Sequence, residues 1–429
     1  MFEFIKVGFW TSLSTFAKII SYLFIVKIIA LYTGPEGLGK MGQFMSLMTI
    51  VGVCAGGGIS NGIIRYVAEY QKTNPDKIKT ILNSGFFITL SSSFVFFIIC
   101  FSFSKDISIL LFDNTEYTSV IVILSIAQLC IAINNFLFSI INGYKDVKAL
   151  VFSNCVAAII SVIISYLLIK SFDLYGVLLS LIFSQGCLVF ITLFFIRNKD
   201  WLKQDFFKPI FDIGSVKNLM SYSLMAISTA ILTPISHILI RDHIVKVSSW
   251  ADAGYWQAIT RISDVYLLFI TMAMTVYYLP KLSEISDKDK IKKEIISTYK
   301  ILFPAVCLLS LSIFFLKDII IYILYGENFY AIRDLFFVQL LGDVVKISSW
   351  VISFLMLAKK KTKLFLSTEL FFSSTYVLLT IFLVNKFSLI GAMYSFLINS
   401  SFYLVFMLII FYKGILSCEI KNQTVATIY

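Results

Sequence analysis

Gly176-Val-Leu-Leu-Ser-Leu-Ile-Phe-Ser-Gln-Gly-Cys-Leu-Val-Phe-Ile-Thr-Leu-Phe-Phe-Ile196 runs for 21 residues without a charge and is closed at once by Arg197. A bilayer core about 30 Å thick takes roughly 20 apolar residues of helix, so this run is long enough to cross one. Its apolar positions do not alternate as they would along a barrel strand of about ten residues, and an open sheet edge cannot sit in lipid. A membrane-spanning helix is the reading that remains. Outward from it, similar runs lie near 149–169, 118–141, 80–104, 41–70 and 7–31 towards the N-terminus. Towards the C-terminus they lie near 218–240, 254–279, 295–316, 335–358, 364–384 and 390–412. The expectation is an all-α integral membrane protein of about twelve transmembrane helices. Composition agrees: 59% of the 429 residues are hydrophobic, 14% are charged, and mean hydropathy is +0.88. Soluble domains carry roughly 25% charged residues, which excludes that class. The first run is too long for a signal-peptide core and lacks a small-residue cleavage site, so it reads as a retained span.

Lysine and arginine between the spans set the orientation. With the N-terminus inside, the inner segments hold 22 of them and the outer segments eight: Lys40, Lys105, Lys170, Arg241, Lys246, Lys317, Arg333 and Lys386. The positive-inside rule then places both termini in the cytoplasm. The net charge of +11 is this topology signal. Scattered over short connections, it does not form a nucleic-acid footprint, and no nucleic-acid partner is expected. The longest outer connection, residues 317–334, has room for a surface helix at 319–325 but not for a folded domain. The long inner connection at 197–217 divides the chain into two six-helix bundles, 1–205 and 206–429. A shift of 214 residues lays Lys27 on Arg241 and Gln43 on Gln257. Two such halves would share one orientation, as in transporters built from parallel repeats.

Ten ionisable residues fall inside the spans: Lys18, Lys27, Arg65, Glu69, Arg261, Asp264, Lys300, Asp343, Lys346 and Glu369. Facing lipid, each would cost roughly 2.5–3.5 kcal/mol at a helix centre, about 25–35 kcal/mol together. They must therefore snorkel, pair or line a wet cavity. Lys27, Lys300, Arg65, Glu69 and Glu369 lie near span ends, within snorkelling reach. Arg261–Asp264 and Asp343–Lys346 are spaced three apart, as local ion pairs are. Lys18 has no such partner on its own helix and is the prime candidate for a cavity cation. The spans carry six basic and four acidic groups, a balance suited to an anionic headgroup. Asn61, Asn134, Asn135, Ser228, Tyr255, Gln257 and Gln339 could exchange hydrogen bonds with sugar hydroxyls, or could equally serve helix packing. Gly34-Pro-Glu-Gly-Leu-Gly39 reads as a turn and Gly56-Gly-Gly58 as close packing, a bend or a hinge within a span. Pro234 and Pro304 mark possible helix kinks. The seven cysteines form no C-x-x-C, and His237 and His243 have no partners at ligand spacing. Neither a metal nor any other cofactor is expected.

Several of these stretches together resemble Wzx-type O-antigen and enterobacterial common antigen flippases, of the multidrug/oligosaccharidyl-lipid/polysaccharide exporter superfamily. The segments are Trp10-Thr-Ser-Leu-Ser-Thr-Phe-Ala-Lys18 with Lys27, Gly34-Pro-Glu-Gly-Leu-Gly39, Gly58-Ile-Ser-Asn-Gly62, and Tyr255-Trp-Gln257 with Ile262-Ser-Asp264. They continue with Arg333-Asp-Leu-Phe336 and Gln339-Leu-Leu-Gly-Asp343 with Lys346. The resemblance implies two six-helix bundles around a cavity that opens alternately to each side, in the bacterial inner membrane. It implies a cargo of undecaprenyl-pyrophosphate-linked oligosaccharide and contact with membrane lipids, and as further partners an O-antigen polymerase and a chain-length regulator. It also implies charges at Lys18, Lys27, Asp264, Lys300, Asp343 and Lys346. Together with the other charges within the spans, the candidate cavity cations are Lys18, Lys27, Arg65, Arg261, Lys300 and Lys346, and the candidate coupling or ion-pair carboxylates Asp264, Asp343, Glu69 and Glu369. Arg261 and Glu69 depart from the resemblance. A lipid II flippase would carry two further helices, a multidrug antiporter a cavity dominated by carboxylates, and a membrane glycan polymerase or ligase a large outer catalytic loop. Reporter fusions test the orientation: those at Lys203 and Lys361 are expected to read inside and one at Lys246 outside. An outside signal at Lys203 would overturn it.

Overall fold

The computed structural model describes residues 2–71, 73–203, 212–285, 287–359 and 361–411. The expected division at 205/206, Cys418 and the C-terminal tail lie outside the described residues. Within them the chain is helical, without strands: α1 (Phe2–Ala55), α2 (Ser60–Tyr70), α3 (Pro75–Ser102), α4 (Ser104–Phe112), α5 (Thr118–Gly143), α6 (Val147–Gly186), α7 (Leu188–Ile196), α8 (Asp200–Lys203), α9 (Ile213–Val247) and α10 (Trp250–Ala273). There follow α11 (Leu279–Glu284), α12 (Lys288–Leu324), α13 (Phe336–Ala358), α14 (Thr362–Phe387) and α15 (Leu389–Ile410). Among the described residues, nine helical stretches are long and apolar enough to cross a membrane. The chain is a multi-pass membrane protein.

Local chemistry sets where these helices begin and break. Asn74 caps α3, its Oδ1 accepting from the Lys77 amide at 3.1 Å, with Pro75 in the first turn, where a missing N–H costs nothing. Asp212 caps α9 through the Ser215 amide at 2.7 Å; hydrogen bonds from the Ser215 hydroxyl and backbone hold its carboxyl below the usual carboxylate range. Between α10 and α11 the backbone widens into a π-helical turn over Met274–Tyr278, just before Pro280. Proline has no N–H to continue the ladder and its ring would strike the carbonyl four residues back, so a wider turn relieves both.

Gly34 (φ 63°, ψ −160°) breaks α1, and Asp173 (φ 45°, ψ −124°) breaks α6, each time separating two expected spans. The 41–70 run is corrected: it is not one helix, because α1 ends at Ala55 and Gly57 and Gly58 both take positive φ before α2 begins. The expected surface helix at 319–325 is also corrected: α12 continues through Leu324, and a 3₁₀ stretch, Glu327–Leu335, makes the connection. Two breaks repeat each other. Phe172-Asp-Leu-Tyr-Gly176 and Phe387-Ser-Leu-Ile-Gly391 carry positive φ at Asp173 and Ser388, 215 positions apart. In both, a Cβ on the glycine would lie 2.0–2.3 Å from the backbone oxygen of a leucine, Leu168 or Leu383.

Contacts gather into two compact units, Met1–Gln257 with Ile321–Tyr330, and Ala258–Ile320 with Ala331–Tyr429. In the first, Ile63, Leu82, Phe136 and Ile140 are fully or nearly fully buried between α2, α3 and α5. In the second, Met274, Tyr278, Val351, Leu355 and Met407 form the core. Large apolar side chains such as Phe190 (66% exposed) and Phe315 (75%) face outwards, while Gln43, Ser93, Gln128, Arg241 and Asp343 are buried. That distribution inverts a soluble protein's and fits a lipid surround.

Within the first unit α1 and α10 meet backbone to backbone. A Cβ on Gly254 would lie 1.8 Å from the Pro35 carbonyl oxygen, and one on Gly39 2.8 Å from that of Trp250. Small residues allow this approach, which is how membrane helices associate where lipid supplies no hydrophobic drive. Gly254→Ala should lower stability by about 1–3 kcal/mol, the range for overpacking, since the obstacle is backbone. Thermal melting of the purified protein in detergent checks this. Gly186→Ala, whose Cβ would meet only Ala127 at 3.8 Å, should melt like the unmodified protein; equal melting of both variants would contradict the packing.

Candidate functional site

In the second unit, α10 presents Ser263 and Tyr266, three residues apart, and α13 presents Gln339, Asp343 and Lys346 over two turns. The Asp343 carboxylate has no exposed surface. Its Oδ2 accepts from the Ser263 and Tyr266 hydroxyls at 2.6 Å each, and its Oδ1 from Gln339 Nε2 at 3.2 Å. Gln339 Nε2 also donates to Ser263 Oγ at 3.0 Å, closing the ring of donors. The spacing-based expectation of an Asp343–Lys346 ion pair is corrected: it is not among the described ion pairs. Asp343 is short and meets the hydroxyls of α10 directly, and short O–H···O⁻ contacts are strong. Lys346 turns its ammonium towards the faces of Trp350 and Phe396, 5.2 Å from each ring centroid, in cation–π geometry.

Lys346 is nonetheless the charged neighbour of both Asp343 and Glu369, and Asp264 also acts on Asp343. Glu369 on α14 is half-buried, with Tyr403 of α15 beside it. So α10, α13, α14 and α15 each contribute to one polar cluster inside an otherwise apolar bundle. Its chemistry follows from the neutrality of the donors. A hydroxyl can donate or accept, so the ring around Asp343 can tolerate proton uptake by rotating an O–H, which a lysine or arginine partner could not do.

The other expected residues lie apart. Arg261 and Asp264 pair at 3.3 Å, and Arg65 and Glu69 approach to 3.9 Å on an exposed face, a pair worth little on its own. Lys27 donates to the Tyr322 carbonyl at 2.7 Å, anchoring the 321–330 segment. Lys18 and Lys300 are exposed on α1 and α12. Asn134 is buried and accepts from the Thr192 hydroxyl at 2.7 Å, and Tyr255 donates to the Asn328 carbonyl at 3.2 Å. The Ser228 side chain lies outside the described residues.

Arg241 is the largest departure from the spacing argument, which placed it in an outer connection. It lies inside α9, fully buried, and donates to Gln43 Oε1 at 2.8 Å and Gln257 Oε1 at 2.5 Å, with its guanidinium 5.2 Å from the Trp256 ring centroid. The two glutamines are those that the 214-residue shift superposes, and that coincidence was the available signal. Tyr266 and Tyr403 had none, and Ser263 had only its place within Ile262-Ser-Asp264: single hydroxyls within apolar runs are common.

The fold is that of known transporters. An inward-facing multidrug resistance MATE family transporter of the MOP superfamily superposes with a TM-score of 0.80 at 13% identity, covering 92% of this chain and 94% of that one. The lipid II flippase MurJ, in an inward closed conformation, gives 0.74 at 17% identity, covering 94% and 87%. In sequence, the Lipid III flippase of Escherichia coli (strain K12) is 32% identical over 377 residues, 88% of this chain and 90% of the relative. The profile of the family described as "Polysaccharide biosynthesis protein" matches residues 4–286. With that match over more than half its length and a relative aligned nearly end to end, the chain belongs to the polysaccharide biosynthesis protein family of multi-spanning membrane proteins.

Proposed function

We propose that this protein is a flippase that carries an undecaprenyl-pyrophosphate-linked oligosaccharide from the cytoplasmic to the periplasmic leaflet of a bacterial inner membrane by alternating access. The observation that carries this is the 32% identity over 88% of the chain to the Lipid III flippase. The reading includes about twelve spans in two six-helix halves, 1–205 and 206–429, with both termini cytoplasmic. It makes the protein a transporter rather than an enzyme, working beside a polymerase and a chain-length regulator of the same glycan. Its short connections between spans support a task performed within the helices.

Lys18 and Lys346 are the proposed cations for the pyrophosphate, and Asp343 is the proposed coupling carboxylate. A pyrophosphate diester carries roughly two negative charges. At ~2.3 kcal/mol per charge per 100 mV, an inside-negative potential favours its outward move by about 4–5 kcal/mol. A proton exchanged at Asp343 would add a second source of drive. Lys346, Tyr266 and Asp264 act on that carboxylate directly and would sense the change, and Glu369 shares Lys346 with it.

Expression in cells lacking a flippase for a given lipid-linked glycan, scored by surface glycan, tests the function. Restored display is expected; failure with every glycan tried would contradict it. The Lys18→Ala, Lys346→Ala double variant should lose at least about tenfold in display at unchanged protein level, with the two lysine-to-arginine changes retaining more; normal display would remove the pyrophosphate role. Asp343→Asn should keep protein abundance and lose the pH dependence of flipping between pH 6 and 8. Asp343→Ala should lower abundance, because each buried donor left without a partner costs about 1–3 kcal/mol. An unchanged pH profile in Asp343→Asn would reduce the carboxylate to a structural role.

A further inference from the structure

The first unit holds a second polar feature that the charged residues do not account for. Where α1 stops and α2 starts, Gly57 and Gly58 take φ of 70° and 64°, and their amides return to the Cys54 and Val53 carbonyls. Each is packed on one side: a Cβ on Gly57 would strike Ile88 of α3, and one on Gly58 would strike Ile227 of α9. On the remaining side the break opens. A Cβ on Gly52 would meet nothing within 4 Å. A cavity of about 300 Å³ lies there, its lining including Gly52, Gly58, Ser60, Asn61 and Asn135.

The lining has a specific chemistry. Among the described residues it contains no charged group. Its strongest hydrogen-bonding groups are the two asparagine amides, both exposed, and neither makes a hydrogen bond to protein among the described residues. Its neighbour Asn134, one position away, is buried and paired, so Asn135 is singled out by the side of α5 it occupies. Asn61 continues along α2 into Arg65 and Glu69, four and eight residues on, all exposed. A helix face with asparagine, arginine and glutamate does not face lipid, so the cavity stands at the head of a wet polar stripe. Two unpaired amides offer four N–H donors and two carbonyl acceptors, the complement of hydroxyls and amides on a sugar ring. The volume is at the lower end for ligand pockets, enough for a small group but not for an oligosaccharide. An anion would look for a cation, and the described lining residues include none.

We infer that Asn61 and Asn135 form a subsite for one uncharged sugar residue of the lipid-linked glycan, separate from the groups that take its pyrophosphate. This rests on the flippase reading and adds to it a determinant of which glycan is accepted.

Cysteine labelling in reconstituted vesicles decides it, with two probes: undecaprenyl pyrophosphate, and the same lipid carrying one N-acetylglucosamine. Asn61→Cys and Asn135→Cys should react with a membrane-impermeant thiosulfonate above the background set by the unsubstituted protein. The sugar-bearing lipid should slow that reaction at least fivefold and the sugar-free lipid should not. The Asn61→Ala, Asn135→Ala double variant should lower the ratio of sugar-bearing to sugar-free transport about tenfold. Equal protection by both lipids, no protection by either, or an unchanged transport ratio would overturn the subsite. If the unsubstituted protein moved neither lipid, the flippase reading would fail, while selective protection by the sugar-bearing lipid would still support the subsite.

Discussion

A polar group in the hydrocarbon core has no water to turn to, and Asp343 meets that constraint in its severest form. A carboxylate without exposed surface is held by two hydroxyls at 2.6 Å and one amide, all from neutral side chains on α10 and α13. The same constraint recurs throughout the chain. Arg241, equally buried, donates to the amide oxygens of Gln43 and Gln257 and lies against the face of Trp256. Serines and threonines inside helices return their hydroxyls to carbonyls a turn earlier, as Ser46 does to Gly42 and Thr380 to Tyr376. What the interior withdraws from lipid, the surface replaces with phenylalanine and leucine.

Function grows from how the polar interior is satisfied. A lysine–aspartate pair in close contact would be a rigid staple, costly to break once buried. Asp343 with neutral partners, and Lys346 resting against two rings, leave both charges available to something else. Glu369 and Tyr403 extend the cluster onto α14 and α15. The glycine-lined approach of α1 to α10, and the break at Gly57 and Gly58, show where the helices of the first unit depend on having no side chain at all.

Much of the fold was legible in the sequence because its signals are long. A charge-free run of 21 residues such as 176–196 has one physical solution in lipid. The breaks at Gly34 and Asp173 fall where the apolar runs are interrupted. The break at Gly56–Gly58 was read as a bend or hinge but not as the end of a helix, because a run of apolar residues continues on either side of it. The site was less legible. Spacing by three identified Arg261–Asp264 correctly and misjudged Asp343–Lys346, because spacing knows nothing of the hydroxyls on a neighbouring helix. Arg241 looked like a connection residue, since a basic residue at the end of an apolar run usually is one. Only the superposition of Gln43 on Gln257 hinted at the contact that buries it.

The proposed function requires the membrane-embedded polar groups to move a lipid-linked, negatively charged glycan across the bilayer. Its most direct measurement is the transfer of an undecaprenyl-pyrophosphate-linked oligosaccharide between leaflets of vesicles containing only this purified protein, with and without an imposed potential, read by exposure of the glycan to an external lectin. Protein-dependent transfer is expected, accelerating when the potential favours movement of negative charge towards the lectin side. Transfer no faster than in protein-free vesicles, under either polarity, would contradict it.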